Sequence, residues 1–360
     1  MWEGRRSSSS KASSHCNTMK AAIFYQHGGP EVLRYEEAPE PTVGVGQVRV
    51  RVKACALNHL DIWIRQGIPA FSVPLPHMGG CDVAGIVERV GSDVTGSTSG
   101  DRVFIAPGLS CWRCEFCLSG RDNLCLSYRI LGAQVNGGMA ELVTVPAVNL
   151  IPIPANLSFE QAAAFPLTTV TAWHMLFRLA KLQPAEDVLV LGAGSGVGSM
   201  AVQMARAAGA RVFTTVGSAD KIDRAKGLGA DEVINHSLDN IAERVKSLTG
   251  GRGVDVVIEH VGPATWQQSV ESLAKGGRLV TCGATTGPTV TVDLRYLYMR
   301  QATVMGSFMG TRAELLDAAK WIAAGRIQPV IDSVMPLKEA RAAEERMNDR
   351  KLFGKIVLTP

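Results

Sequence analysis

The chain has 360 residues, of which 46% are hydrophobic and 19% are charged. This composition is that of an ordinary soluble globular enzyme, and the length favours two domains. The net charge of +4 is small and forms no basic stripe, which argues against a nucleic-acid partner. No run of 18 apolar residues occurs, so we expect no membrane span.

The first 18 residues carry two arginines, a run of four serines and almost no apolar side chains. Such a segment cannot bury enough apolar surface to fold, and we predict a disordered extension over residues 1–18. Its serine-rich, acid-poor composition is similar to that of an organelle transit peptide, but it lacks an amphipathic apolar face. Whether it is a native extension or a targeting segment stays open, and folded structure is predicted to begin at Met19.

Residues 19–151 alternate or run apolar between glycine and proline turns, which predicts a β-rich first domain with a partly closed, barrel-like form. The predicted strands are 21–24, 47–54, 83–90 and 102–105. Pro152 and Pro154 bound a linker. Residues 159–180 look helical, with Pro166 as an interruption.

Four of the eight cysteines lie within fifteen residues, at Cys111, Cys114, Cys117 and Cys125. They supply four thiolates, enough to close a tetrahedral shell around one zinc ion. Because protein fills every position, no place is left for water or substrate, and the zinc is expected to be structural. An iron–sulfur cluster or a zinc ribbon for partner binding is the alternative. The clustering favours a reducing compartment, and we expect a cytoplasmic protein.

An apolar strand, a glycine-rich turn and a helix follow one another in residues 188–210. Glycines let the backbone turn sharply and approach a pyrophosphate, whose charge then lies on the N–H groups at the helix start. The spacing departs from a strict G-x-G-x-x-G, and a turn without a ligand is the alternative. The residues expected to bind the cofactor here are Gly194, Ser195, Gly196, Val197 and Gly198.

Strands and helices continue to alternate after this turn, which predicts a parallel, doubly wound sheet of about six strands. The predicted strands are 188–191, 211–216, 232–234, 254–259, 277–282 and 303–307. We therefore expect an α/β fold with a nucleotide-binding domain over residues 152–305. Residues 306–360 would complete it with two helices and return to the first domain through a strand at 355–358.

In chain order, the cysteine loop, residues 76–85, residues 100–103 and the glycine turn resemble the medium-chain dehydrogenase/reductase superfamily, which includes zinc alcohol dehydrogenases and quinone reductases. The resemblance covers residues 19–360. It implies a GroES-like catalytic domain over residues 19–151, a Rossmann domain and nicotinamide-dependent hydride transfer. It also implies a homodimer or homotetramer that pairs around residues 291–310.

The resemblance fails at the catalytic zinc. Zinc alcohol dehydrogenases place a Cys-His pair, a Gly-His-Glu and a second cysteine where this chain has Asn58-His59, Gly80-Cys81-Asp82 and Leu167. Asparagine and leucine do not replace thiolates, and we expect no catalytic zinc. Recruitment of a metal by Cys81, Asp82 and His59 is the alternative.

The segment from Leu57 to Asp61 resembles the Leu-Asn-x-x-Asp stretch of zinc-free quinone reductases. The resemblance implies that Asn58 and Asp61 line the substrate cleft, where an amide can donate to a carbonyl oxygen and a carboxylate can orient water or relay a proton. His59 would donate to a cofactor phosphate. The alternative is a turn that bonds to its own backbone, with a structural histidine.

Cofactor preference is decided at the end of the second Rossmann strand, where NAD-binding proteins place an acid. Val216 stands there instead. Gly217, Ser218 and Lys221 follow in a pattern that resembles NADPH-dependent quinone reductases, so NADP(H) is favoured, with NAD(H) as the alternative. Later strand ends should meet the nicotinamide and its ribose through Val261, Gly283 and Ala284.

Together these features predict an NADP(H)-dependent oxidoreductase that transfers hydride between the nicotinamide and a small carbonyl, enone or quinone, with one structural zinc. A zinc-dependent alcohol dehydrogenase with atypical ligands is the first alternative. A non-catalytic NADPH-binding protein is the second.

Overall fold

A computed structural model describes residues 17–69 and 71–360. The predicted disorder of residues 1–16 lies outside the described part of the chain. Strand β1 (Thr18–Ile23) begins one residue before Met19, and Thr18 pairs with Pro39. Within residues 17–69 and 71–360, no helix is long and apolar enough to cross a bilayer.

The first domain is built on antiparallel strands. They are β2 (Arg34–Pro39), β3 (Gln47–Ala56), β4 (Asp82–Val90), β5 (Arg102–Ile105), β6 (Gly108–Leu109), β7 (Arg129–Ile130), β8 (Leu142–Pro146) and β9 (Leu150–Pro152). In β3 the side chains of Val48, Val50 and Val52 are buried and alternate with more exposed residues, as expected for a strand with one face on a core. Two helices belong to this domain, α1 (His59–Gln66) and α2 (Glu115–Leu118).

The second domain contains a sheet of six parallel strands. They are β10 (Asp187–Val190), β11 (Arg211–Val216), β12 (Glu232–Asn235), β13 (Val254–Glu259), β14 (Leu273–Thr281) and β15 (Thr303–Gly306). Their order is β12-β11-β10-β13-β14-β15, so the strand order reverses between β10 and β13. Ligands bind such sheets beyond the carboxyl ends of the strands at this reversal.

The later helices pack on both domains. They are α3 (Phe159–Ala163), α4 (Pro166–Trp173), α5 (Gly196–Ala207), α6 (Ile222–Gly227), α7 (Ile241–Leu248), α8 (Pro263–Glu271), α9 (Leu294–Arg300), α10 (Arg312–Ala323) and α11 (Ala340–Asn348). Helix α3 packs on β3, β4 and β5 of the first domain, and α11 packs on the last strands of the chain, whereas the others belong to the second domain. Pro166 begins α4, which continues as a π-helical turn over His174–Leu179. The predicted single helical segment over 159–180 is thus divided where the proline was expected to interrupt it.

The chain returns to the first domain at its end. Strand β16 (Ile331–Pro336) pairs in parallel with β17 (Lys355–Thr359), and β17 pairs antiparallel with β3. A buried ion pair between Arg65 of α1 and Glu344 of α11, at 2.5 Å, joins the same two parts of the chain. The predicted α/β architecture of a β-rich domain and a doubly wound parallel sheet is confirmed.

Candidate active site

A cavity of about 1070 Å³ lies between the two domains. Its volume is at the upper end of the range for small-molecule and cofactor sites. One wall comes from the start of α1 and of β17, and the other comes from the carboxyl ends of β10, β13 and β14. Of the residues predicted from the sequence, those that line it are Asn58, His59, Ser195, Gly196, Val197, Gly283 and Ala284.

The glycine turn has the geometry of a phosphate site. Gly192 has φ of +64°, and a Cβ on Gly198 would lie 2.1 Å from the Gly192 carbonyl oxygen, so both positions require glycine. The Ser195 hydroxyl caps α5 by accepting from the Gly198 N–H at 2.8 Å. The N–H groups of the first turn face the cavity with the positive end of the helix dipole. This turn therefore fits a dinucleotide pyrophosphate.

Asp61 is a buried anchor for the start of α1. Its two carboxylate oxygens accept from the backbone N–H groups of Asn58 at 2.7 Å and Gly80 at 2.9 Å. Burial raises the pKa of Asp61 to about 7, against the effect of these two bonds. The residue does not line the cavity, so the structure places it behind the site and not beside a substrate.

His59 follows at the first position of α1 and does line the cavity. Burial, and then the nearby charges of His260, Arg350 and Lys355, lower the pKa of His59 to about 4. The imidazole is therefore neutral at pH 7. It can offer a neutral N–H to a cofactor phosphate but not a full positive charge.

Four side chains form a buried polar cluster at the start of α1, those of Asn58, Cys81, Asp82 and Lys355. The Lys355 Nζ donates to Asn58 Oδ1 at 2.5 Å and to Asp82 Oδ2 at 3.1 Å. The Asn58 Nδ2 donates to Asp82 Oδ2 at 2.9 Å and to the Cys81 Sγ at 3.2 Å. Asp82 Oδ1 also accepts from the Leu167 N–H at 2.7 Å. The sequence analysis assigned Lys355 only to the closing strand. A lysine at the start of an otherwise apolar strand was the one feature that could have indicated a buried polar contact.

This cluster is where zinc alcohol dehydrogenases would carry their catalytic metal, and its donors do not fit one. The cationic Lys355 ammonium already neutralises Asp82, and a divalent cation at the same place would be repelled. Burial, with Asp82 and Asp61 nearby, raises the pKa of Cys81 well above its ordinary value, which keeps it a thiol. Leu167 contributes only a backbone N–H.

The four predicted zinc ligands do come together. The Sγ atoms of Cys111, Cys114, Cys117 and Cys125 all lie within 4.8 Å of one another. A tetrahedral Zn–S₄ site, with bonds of about 2.3 Å, needs S–S separations of about 3.8 Å. The separation is 3.6 Å for Cys114 and Cys117 and 4.0 Å for Cys111 and Cys117. Among the described residues, no second cluster of potential ligands has this form.

Backbone groups prepare this loop for thiolates. Hydrogen bonds from the N–H groups of Cys117 and Leu126 lower the pKa of Cys114 to about 6, whereas burial and the neighbouring thiols raise the pKa of Cys117 to about 12. The Cys125 Sγ accepts from the N–H groups of Cys111 at 3.2 Å and Ser127 at 3.4 Å. The loop therefore fits one structural zinc with all four positions filled by protein.

The end of β11 lies outside the cavity wall. Gly217, Ser218 and Lys221 follow Val216 there, and none of the three lines the cavity. The Lys221 Nζ donates to the Arg350 carbonyl at 2.9 Å, which leaves two ammonium hydrogens. Arg224, in contrast, lies over the Phe353 ring and donates to the Phe353 carbonyl.

The ends of β13 and β14 complete the cofactor side. The His260 Nε2 lies 2.7 Å from the Leu191 carbonyl oxygen and 3.3 Å from the Ser195 hydroxyl. Val261 does not line the cavity, and its N–H donates to Glu259 Oε1 at 2.6 Å. His260 is therefore held by its neighbours at the cavity wall.

The far end of the cavity is apolar. Trp63 and Phe71 line the cavity, and so do Leu124 and Phe308. Trp173 does not line it, because its ring packs against Phe177 and Trp321. Sequence reasoning missed His174, whose Nδ1 lies 2.9 Å from a Glu314 oxygen and which borders this end.

Comparison with known proteins fits this geometry. A model described as an alcohol dehydrogenase GroES-like domain matches residues 44–155, and one described as a zinc-binding dehydrogenase matches residues 196–324. An alcohol dehydrogenase of Geobacillus stearothermophilus is 34% identical over 342 residues, which cover 94% of this chain and 99% of that protein. This chain belongs to the medium-chain dehydrogenase/reductase superfamily.

Other members of the superfamily are similarly close. Quinone oxidoreductase 1 of Escherichia coli is 33% identical over 94% of this chain and 98% of its own length. The crystal structure of an NAD-dependent alcohol dehydrogenase is 45% identical, with a TM-score of 0.92 over 95% of this chain and 100% of that one. The predicted superfamily is confirmed, and the protein is an NAD(P)-dependent oxidoreductase that acts on small molecules.

Proposed function

We propose that this protein is an NADP(H)-dependent reductase of a small carbonyl, enone or quinone that works without a catalytic metal. The observation that carries the proposal is one cavity bordered by a phosphate-binding turn on one side and by the Asn58, Asp82 and Lys355 cluster on the other. The relatives named as quinone oxidoreductases and alcohol dehydrogenases support the reaction class.

Each wall has a separate task. When bound, the nicotinamide cofactor supplies or accepts a hydride. Ser195, Gly196 and Val197 would hold its phosphates at the start of α5, and Gly283 and Ala284 would border the nicotinamide ribose. The apolar end around Trp63 would take the substrate's carbon chain and exclude water from the reacting atoms.

The residues at the end of β11 support the preference for NADP(H). Position 216 carries valine, so no acid is present to accept a hydrogen bond from a ribose hydroxyl. Ser218 and Lys221 follow it in the sequence, and one of the three hydrogens of the Lys221 ammonium is used in the bond to Arg350. A Val216→Asp variant should lower the kcat/KM ratio of NADPH to NADH by about tenfold or more, because a carboxylate repels a 2′-phosphate. A wild-type preference for NADH would reject this part of the proposal.

The direct test is NADPH and NADH oxidation with a panel of aldehydes, enones and quinones. Turnover with NADPH would support the proposal. Tight NADPH binding without any turnover would instead favour a non-catalytic NADPH-binding protein. Activity abolished by mild chelation would favour the zinc-dependent alcohol dehydrogenase.

We also propose one structural zinc at the four-cysteine loop and a homodimer or homotetramer. Within residues 17–69 and 71–360, β15 has no strand paired to its outer side, and nearby Leu294, Tyr298, Met299 and Val304 are exposed. Covering such apolar side chains favours pairing with a second copy. Light scattering that gives a monomer at micromolar concentration would reject the oligomer. The clustering of four cysteines as metal ligands fits a reducing compartment, and we propose that the protein is cytoplasmic.

A further inference from the structure

The charged side chains that border the active-site cavity are all basic. They are Arg121, Arg178 and Lys355, and no aspartate or glutamate of the described residues lines the cavity with them. A cleft lined by one sign of charge concentrates ligands of the opposite sign. The cofactor pyrophosphate accounts for part of this charge, because the Lys355 Cδ lies 3.0 Å from the position of a Cβ on Gly196, in the turn assigned to the phosphates. The two arginines come from other elements.

Helix α4 and the π-helical turn after it place Arg178 away from the phosphates. Thr168, in the first turn of α4, lies beside the same turn, with its Cγ2 2.7 Å from the position of a Cβ on Gly196. Arg178 follows ten residues later, which is more than about 10 Å along a helix axis. It is exposed, and within residues 17–69 and 71–360 its guanidinium has no hydrogen-bond or ion-pair partner. Its charge is therefore not used by the cofactor phosphates or by the fold.

Arg121 borders the cavity from the cysteine loop. Its Nε donates to the Ser119 hydroxyl at 3.1 Å, and its guanidinium lies over the Phe116 ring. Its two terminal NH₂ groups have no partner among the residues that the structure describes. A planar guanidinium with free donors binds a carboxylate or a phosphate through two parallel hydrogen bonds.

The start of α10 connects the two elements that carry these arginines. Asp122, next to Arg121, accepts from the first backbone N–H of α10 at 3.1 Å. Glu314, in the first turn of the same helix, lies 2.9 Å from the Nδ1 of His174, which stands one turn before Arg178. Both carboxylates are thus engaged behind the cavity wall. The two arginines border the cavity on either side of this junction, at the apolar end that the site leaves for substrate.

Resting on the proposed function, we propose that the substrate carries an anionic group, a carboxylate or a phosphate, at the end away from its reacting carbonyl or enone, and that Arg121 and Arg178 bind this group. The two arginines determine specificity and take no part in hydride transfer. The apolar side chains around Trp63 cover the carbon chain between the two polar ends of the substrate. Neither arginine forms an ion pair within the described part of the chain, so both charges are available to the ligand.

The first test compares substrates that differ in the charge of the far end. The carboxylate arm pairs 4-oxobutanoate with butanal, 6-oxohexanoate with hexanal and 9-oxononanoate with nonanal. The phosphate arm pairs the trans-2-hexenoyl thioester of coenzyme A with that of pantetheine, which lacks the phosphates. We expect kcat/KM with NADPH to favour the anionic member about tenfold or more in one arm, and this preference to shrink as salt is raised to about 1 M. A neutral substrate that is reduced as well as its anionic partner in every pair would overturn the proposal.

The second test assigns the preference to the two arginines. Arg121→Gln and Arg178→Gln remove the charge and keep a polar side chain. Each should lower kcat/KM for the preferred anionic substrate about fivefold, the size expected of a partly exposed charge pair, and change that of its neutral partner less than about twofold. Arg113→Gln is the matched control, because Arg113 is exposed in the same loop and does not line the cavity. An equal loss for both members of a pair, or an equal loss in Arg113→Gln, would overturn the assignment.

A third test needs no turnover and separates this proposal from the proposed function. Butanoate, hexanoate and nonanoate are compared with their neutral amides for equilibrium binding to the NADPH complex by calorimetry. At one chain length the carboxylate should bind about tenfold more tightly, and the double variant Arg121→Gln, Arg178→Gln should lose this difference. A protein that shows the difference but reduces no carbonyl or enone would overturn the proposed function and leave the anion site standing. Reduction of carbonyls with no preference for an anion in any of these tests would overturn the anion site alone.

Discussion

Two regions of the first domain contain cysteines at places where the superfamily carries metal, and they have opposite electrostatics. In the four-cysteine loop, four sulfur atoms converge, and backbone N–H groups stabilise the thiolate of Cys114. Around Cys81, one buried thiol lies in a cluster whose only carboxylate, Asp82, is bonded to an ammonium. The first region brings four sulfur atoms to one point, and the second contains a buried ion pair.

The comparison shows that a metal site depends on uncompensated anionic donors more than on position in a fold. Replacement of thiolates by Asn58 and Leu167 removes the negative charge that would offset a divalent ion. Lys355 then balances the remaining carboxylate. On the proposed function, the four-cysteine loop holds a metal and the cluster around Cys81 holds none.

The largest effect is expected when one member of the buried Asp82–Lys355 pair is removed. Asp82→Leu leaves the Lys355 ammonium buried without its partner, and the free energy of unfolding should fall by about 3 to 5 kcal/mol. The double variant Asp82→Leu, Lys355→Met removes both charges and should recover a large part of that loss. Urea unfolding of the wild type, both single variants and the double variant measures the coupling.

If the double variant loses as much free energy of unfolding as the two single variants together, Asp82 and Lys355 do not interact directly. A surface pair gives the matched control, because Lys320 and Asp317 lie 2.8 Å apart with most of their side chains exposed. The same cycle there should give a coupling of about 0 to 1 kcal/mol.

A second prediction compares Asp82 with Asp61, a buried carboxyl that has only backbone donors. Its pKa is 3.8 in the unfolded reference and about 7 in the folded protein, so its protonated form is favoured by folding. That contribution is complete below about pH 4 and is lost as the pH rises through about 7, an upper limit of about 4 kcal/mol.

Asp61→Asn does not titrate, so its free energy of unfolding should fall less than that of the wild type between about pH 4 and about pH 7. Urea unfolding across this range measures the two slopes. The exposed Asp239→Asn should retain the wild-type slope. If the free energy of unfolding of Asp61→Asn falls with pH as steeply as that of the wild type, Asp61 is not the group that causes the pH dependence.

The smallest effect is expected at the metal loop. Cys114→Ser should abolish zinc binding and raise the KM for the carbonyl substrate by about tenfold, or about 1.4 kcal/mol. The reason is that Asn123 and Leu124 of the same loop line the cavity, whereas the Asn58 and Lys355 side chains that border it come from other elements. Steady-state kinetics measures the change, with Leu118→Ala, an exposed residue of α2, as the control. A kcat reduced a hundredfold would contradict a purely structural metal.

Local patterns in the sequence predicted much of the fold and part of the site. The glycine turn and the four cysteines are contiguous motifs, and their geometry is dictated by backbone sterics and ligand spacing. The Lys355 contact with Asn58 joins residues 297 positions apart, and no local pattern indicates it. The same holds for His174 with Glu314, which meet across 140 positions. Such pairs arise from the return of the chain to the first domain, which the sequence indicated only as a strand.

The most direct test of the account is elemental analysis of zinc in the wild-type protein, carried out on the sample used for kinetics. We predict one zinc per chain, none in Cys114→Ser, and NADPH-dependent reduction by the one-zinc enzyme. Two zincs per chain, with activity lost as the second is chelated, would contradict it. The cluster of Asn58, Cys81, Asp82 and Lys355 would then be a metal site.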